Sequence, residues 1–294
     1  MNNSTHDNYG YPEGGKRVSG GQRSSGQRSE GQPRRRRKRK KSRALYYVIL
    51  LVLLGILVFS ATKIISYFKQ QADAANAQQN VLDSFITPSD GTDNSSGDSK
   101  DSTDDKKDPD PDSIDVDFDK LTAQYPDAVG FIYAANTKIQ YVIQHGNGNE
   151  YYLTHDSEGN TNNNGSIFVE QLNSGNFSDG NTIIYGHNMK TGMMFAGLRN
   201  YHTDKGYYAA HPYMYIYTPS QNYRLDLYAG FVCDHDDEIY ATSLTQSQLE
   251  AMAAKSDFKS TIGTPTGRTV TLSTCSYEYN DARYVVIGSL VPID

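Results

Sequence analysis

The run "ALYYVILLVLLGILVFSA", residues 44 to 61, carries no charged side chain and follows directly on "RRRRKRKKSR", residues 34 to 43. An α-helix rises 1.5 Å per residue, so such a run crosses a hydrocarbon core of roughly 30 Å, with Lys63 and the residues up to 66 reaching the interface. A cleaved secretory leader has a short charged region, whereas a long polar segment stands ahead of this run. Residues 44–66 are therefore expected to form an uncleaved single-pass anchor. The basic flank orients it, with residues 1–43 cytoplasmic and everything beyond the anchor outside the cell. Beside a span, the basic block reads as orienting charge with some attraction to anionic lipid, and no nucleic-acid partner is expected.

Composition divides the rest. The formal net charge of −6 averages that basic block with an aspartate-rich stretch, "DGTDNSSGDSKDSTDDKKDPDPDSIDVDFD", residues 90 to 119. The Gly-, Ser- and Gln-rich residues 1–43 bury too little apolar surface to offset chain entropy and are expected to be disordered. Residues 67–113 read as a helical stem followed by an acidic, disordered linker that holds a folded domain away from the membrane. That domain, 114–294, is long enough to bury its own core without disulfides. A short helix stopped by Pro126 opens it. Strand candidates then recur as "AVGFIYA", "KIQYVIQ", "GSIFVE", "NTIIYGH", "YMYIYTP", "YRLDLYAGFVC", "RTVTLSTC" and "RYVVIGSLV", parted by Gly, Asn, Asp and Pro. This spacing predicts a mainly antiparallel barrel or sandwich rather than βαβ units. One helix interrupts it, over 243–258, with Ser243 as its cap.

The chain has two cysteines. In "TLSTC", residues 271–275, strand alternation sets Val270 and Leu272 on one face and Thr271, Ser273 and Cys275 on the other, so the thiol points away from the apolar side. A polar break, "SYEYNDA", precedes a strand opened by Arg283. If the two strands pair as a hairpin, Arg283 lies beside Cys275, where a permanent cation both favours a thiolate and can hold an oxyanion. Of the seven histidines, His187 is distinguished by standing at the Gly-marked exit of a short strand, where it can act as acid and base. Cys233 is expected to be buried and unpaired. The acidic "CDHDDE", residues 233–238, lacks metal-ligand spacing and reads as a solvated loop, and no glycine-rich phosphate loop stands in a strand-to-helix context. Neither metal nor cofactor is expected.

"TLSTC", an arginine opening a Val-rich strand, and the upstream "YGHNM" together resemble the sortase family of Gram-positive cell-surface transpeptidases. The stretch from "DAVGFIYA" to "GSIFVE" and the helical insert before the penultimate strand are similar to class B sortases in particular. The resemblance implies a mainly β fold, a closed barrel of about eight strands with a few peripheral helices, preceded by one transmembrane helix. It also implies that Cys275 is the nucleophile, His187 the general acid and base, and Arg283 the oxyanion or substrate stabiliser, with Ser273 a substrate contact. Phe131 stands where relatives often carry Trp, and Ser276 where some carry an acidic residue; both bear on substrate preference.

The implied substrates are secreted proteins with a C-terminal LPxTG- or NPxT-like sorting signal, cut after Thr through a thioacyl enzyme and passed to a peptidoglycan amine. Other readings of the same residues are a pilin-polymerising sortase, a membrane-tethered β-barrel binding module that makes no use of Cys275, and a hydrolytic cysteine peptidase.

Overall fold

The computed structural model describes residues 43–88 and 114–293. The expected cytoplasmic tail, save Arg43, and the body of the acidic linker lie outside these residues.

The apolar run forms the first part of helix α1, Arg43–Phe85. Within it, Arg43–Lys69 is long and apolar enough to cross a membrane. Its large side chains from Leu45 to Phe68 are exposed all round the helix, and a helix apolar on every side needs a non-aqueous surrounding. The chain divides at Val58/Phe59 into two units, the second of which holds everything described below.

The end of α1 is part of that second unit. Phe85 is buried, and strand β1, Ile86–Pro88, pairs antiparallel with β2, Ile114–Val116. The acidic segment therefore leaves and re-enters one small sheet, with Pro88 opposite Ile114.

Helix α2, Phe118–Gln124, is capped by the Asp117 side chain and ends at Tyr125, ahead of Pro126 as expected. Eight strands then close a barrel. They are β3 Ala128–Tyr133, β4 Gln140–Gln144, β5 Ile167–Val169, β6 Asn181–Tyr185, β7 Tyr213–Tyr217, β8 Asn222–Cys233, β9 Thr269–Cys275 and β10 Arg283–Ile293. Their order around the barrel is β10-β8-β7-β3-β4-β5-β6-β9, closed by β9 on β10. All eight expected strands are present. Neighbours are antiparallel except at β4–β5 and β6–β9, which are parallel.

The interior is apolar, with Ile132, Ile143, Ile184, Leu225, Val270, Leu272 and Val286 among its lining residues. Two further clusters cover parts of the outside. One packs Phe85, Ile114, Leu121 and Tyr125 over Phe131, Tyr133, Val142 and Tyr217. The other lays helix α6, Gln246–Lys255, through Leu249 and Met252, on Phe231, Val285 and Ile287. (Three one-turn helices, α3 Asn149–Tyr152, α4 Asn200–Thr203 and α5 Tyr207–Ala210, lie in the connections.) Because much of the sheet is covered on both faces, strand burial does not alternate: Thr269 to Thr274 are all buried.

Helix α6 starts later than expected. Thr245, not Ser243, caps it, in a reciprocal capping box with Gln248, whereas Ser243 lies against Gly180.

Candidate active site

The parallel pairing of β6 with β9 sets Tyr185 beside Ser273, and Gly186 N donates to Ser273 O at 3.1 Å, one step past the end of the strand. Two residues further along each chain stand His187 and Cys275. On the other side of β9, antiparallel β10 puts Arg283 opposite Cys275, and β8 puts Cys233 opposite Arg283. Directly opposed residues share a face. Val270, Leu272 and Val286 point into the barrel, so Cys275, Arg283 and Cys233 form one row across three strands on the outer face, and His187 stands two residues past the end of β6, the strand on the other side of β9. The structure thus sets Arg283 opposite Cys275 and leads the segment carrying His187 off the strand next to β9.

Cys275 is half-buried and Cys233 buried, and both are free thiols. They are two strand spacings apart, roughly 9–10 Å, beyond the ~7 Å that a disulfide tolerates. Burial is the main cause that pushes the Cys233 thiol up to about 12, with Asp237 adding to it. At neutral pH that thiol is protonated and unreactive.

The imidazole is fixed by one contact. His187 Nε2 lies 2.9 Å from Leu153 O, and a carbonyl only accepts, so Nε2 carries the proton and Nδ1 is the atom left to exchange one. Two glycines make room for this arrangement. Gly165, at φ +58°, lies so close to Leu153 O that a Cβ would approach it to 2.9 Å and His187 Cδ2 to 3.0 Å. A Cβ on Gly186 would meet Ile167 at 2.4 Å and Phe195 at 2.7 Å, so the residue ahead of the histidine has no space for a side chain.

Arg283 spends one donor group on its own loop, Nη1 reaching Asp281 O at 3.0 Å and Ala282 O at 3.2 Å. Its charge also reaches the buried phenols of Tyr185 and Tyr240. Burial holds both well above the ordinary tyrosine range, and Arg283 opposes that rise. These two rings stack 6.0 Å apart. Between Tyr185 and Val285, Ser273 is 1% exposed, its Oγ 2.8 Å from Tyr240 Oη. The outer face of β9 is therefore covered at Thr271 and Ser273 and opens at Cys275.

Several residues at the site escaped the sequence reading. Asn188 Nδ2 donates to Cys275 O at 2.6 Å; its only sequence signal is its place next to His187. Tyr185 stands two residues ahead of His187, on the same face by strand periodicity. Tyr240 and the Leu153 carbonyl come from distant connections with no motif. In "CDHDDE", Asp237 caps a 3₁₀ turn, Glu238–Tyr240, through Ile239 N. Among the described residues no three His, Cys, Asp or Glu side chains converge as metal ligands.

A half-buried thiol opposite an arginine, with a histidine just past the end of the adjoining strand, brings residue types suited to nucleophilic catalysis to one end of the barrel. The sortase domain family matches residues 133–291, and the chain belongs to the sortase family. Within that family it is a class B sortase, a cysteine transpeptidase. It is 36% identical over 173 residues to sortase B of Listeria monocytogenes, covering 56% of this chain and 70% of that one. Its fold is similar to a Staphylococcus aureus sortase B–substrate complex, with a TM-score of 0.55 and 26% identity, covering 60% of this chain and 85% of that one. A Bacillus anthracis protein similar to sortase B gives a TM-score of 0.59 and 26% identity, covering 78% of this chain and 98% of the other.

Proposed function

We propose that this transpeptidase uses Cys275, His187 and Arg283 to cut a C-terminal sorting signal of LPxTG or NPxT type after its Thr and to join the new carboxyl end to a peptidoglycan amine. The observation that supports this reading is the strand register that sets Arg283 opposite Cys275, with the β6 strand that leads into His187 paired along the other side of β9.

Cys275 Sγ, as thiolate, bonds to the Thr carbonyl carbon, and the carbonyl electron pair moves onto oxygen beside Arg283. Nη1 is engaged by the loop carbonyls, so Nε and Nη2 are the donors offered to that oxyanion. Collapse breaks the C–N bond to the next residue, and the leaving amine takes a proton from the His187 imidazolium. The acceptor amine then attacks the thioester, gives a proton to His187 and releases the Cys275 thiolate. One peptide bond is broken and one formed, with no net proton or electron change. Ser273 reaches the sorting signal only if its hydroxyl leaves Tyr240, a contact that a raised KM in Ser273→Ala would reveal.

The same reading makes residues 44–66 a single-pass anchor with the N-terminus cytoplasmic, residues 67–113 the stem and linker, and residues 114–294 the extracytoplasmic catalytic region. Its substrates are then secreted proteins bearing sorting signals and the amines of the wall. The test uses the full chain in detergent, peptides carrying LPxTG, NPxTN or SPxTG, an amine acceptor and intact mass spectrometry. The expected result is a thioacyl adduct and a transpeptidated product, both lost in Cys275→Ala. No adduct from folded, reduced protein with any of these peptides would overturn the assigned signal class.

A further inference from the structure

Beyond Tyr185 strand β6 has ended, while β9 continues to Cys275. Ser273 O still takes a ladder bond from Gly186 N. The next rung of the same parallel ladder would run from residue 188 to Cys275 O. It is made by a side chain, Asn188 Nδ2 donating to that carbonyl at 2.6 Å. The following carbonyl, Ser276 O, accepts from Arg199 Nη1. Arg199 lies in the 3₁₀ turn Phe195–Arg199, in the same β6–β7 connection that His187 opens. It is held in place by Glu278, 2.6 Å from Nη2, and Glu278 also accepts from Ser276 Oγ.

Two consecutive carbonyls at the frayed end of the nucleophile strand are thus tied to the segment carrying the general acid and base. We infer that Asn188 and Arg199 are positioning residues, a two-point clamp that fixes the Cys275–Ser276 peptide against the His187 segment and so sets the imidazole-to-thiol separation. The inference rests on the catalytic reading of Cys275 and His187. Its physical basis is geometric. The ring is anchored to Leu153 O on one side, and the thiol hangs from a strand end past the last backbone rung of the β6–β9 ladder, held by backbone pairing on its β10 side alone. Without the clamp nothing in the β6–β9 ladder holds that end, and a misplacement of about 1 Å costs about a hundredfold in rate. Binding of the sorting signal does not depend on this separation.

The test compares Asn188→Ala and Arg199→Lys with wild type and His187→Ala, all as the full chain in detergent. Thioacyl formation is followed against LPxTG, NPxTN and SPxTG peptides, and the pH profile of Cys275 alkylation by iodoacetamide is read by peptide mapping. Asn188→Ala is expected to lower the saturating acylation rate at least about thirtyfold while changing KM by less than about threefold. Its alkylation profile is expected to move toward that of His187→Ala. Arg199→Lys keeps a cation beside Glu278 but loses the forked reach to Ser276 O. It should shift both readouts in the same direction, and it carries the test if Asn188→Ala does not fold. Wild-type rates and profile in both variants, with His187→Ala altered, overturn the clamp alone. A profile that His187→Ala leaves unchanged overturns the His187–Cys275 pairing, and the clamp with it.

Discussion

At Cys275 the reactive group is set by what lies beside it in one row of side chains. Arg283 is opposite it on β10, and its Nη1 bonds to Asp281 O and Ala282 O aim the guanidinium. A lysine at 283 keeps the positive charge but not the planar fork, which cannot then serve the loop carbonyls and an oxyanion together. Arg283→Lys is therefore expected to lower the rate of thioacyl formation about a hundredfold, with little change in melting temperature, as read by stopped assays and thermal unfolding side by side. Cys275 and Arg283 were legible in the sequence because a hairpin between successive strands is a local arrangement, and strand alternation fixed their common face. Asn188 was not, because nothing in "YGHNM" shows that the ladder stops one rung short and that a side chain completes it.

Among the elements, α6 has the largest effect on the site without touching it. Its Leu249 and Met252 are buried against Phe231, Val285 and Ile287, the outer face of the strands that carry Arg283 and Cys233. Met252→Ala leaves a cavity there and is expected to cost about 3 kcal/mol, measured as a lower urea midpoint. Thr245→Ala, which removes one half of the capping box, should cost about 1 kcal/mol by the same measurement. All eight strands were legible from β-branched and tyrosine-rich runs parted by turn residues. The two parallel pairings were not, since they join segments distant in sequence and leave no local signature. The cover over Ser273 was not legible for a related reason. The insert folds back, so Asn181 Nδ2 donates to Ile239 O and Ala241 O, each at 2.9 Å, and Tyr240 covers the serine. The cap of α6 was misplaced by two residues because Ser243 and Thr245 are both good caps, and only the reciprocal Gln248 bond decides between them.

For the molecule as a whole, tyrosines such as Tyr125, Tyr133, Tyr152, Tyr217 and Tyr284 are buried in the core of a chain that has no tryptophan. The largest upward shifts among the tyrosines come mainly from burial: Tyr141 and Tyr152 to about 12, and Tyr185, Tyr201, Tyr240 and Tyr284 further. In the unfolded chain each loses its proton near the ordinary value of 10. Folded-state values above the unfolded one give stability that is fully present below pH 10 and is lost as pH rises toward and past 12. The domain is thus expected to unfold cooperatively in that window, with the phenolate absorbance near 295 nm rising together with the loss of circular dichroism rather than ahead of it.

The parallel seam between β6 and β9 also bears on the order of assembly. It joins chain segments so far apart that Asn188 and its acceptor, the Cys275 carbonyl, are separated by 87 residues. Hairpins such as β9–β10 close short loops and can form early, but a seam of this span must wait until most of the chain between has collapsed. The thiol and its arginine therefore meet before the histidine arrives. A folding chain passes through a stage in which Arg283 already lies opposite Cys275 while His187 is still distant, and the candidate site is complete only when the barrel shuts.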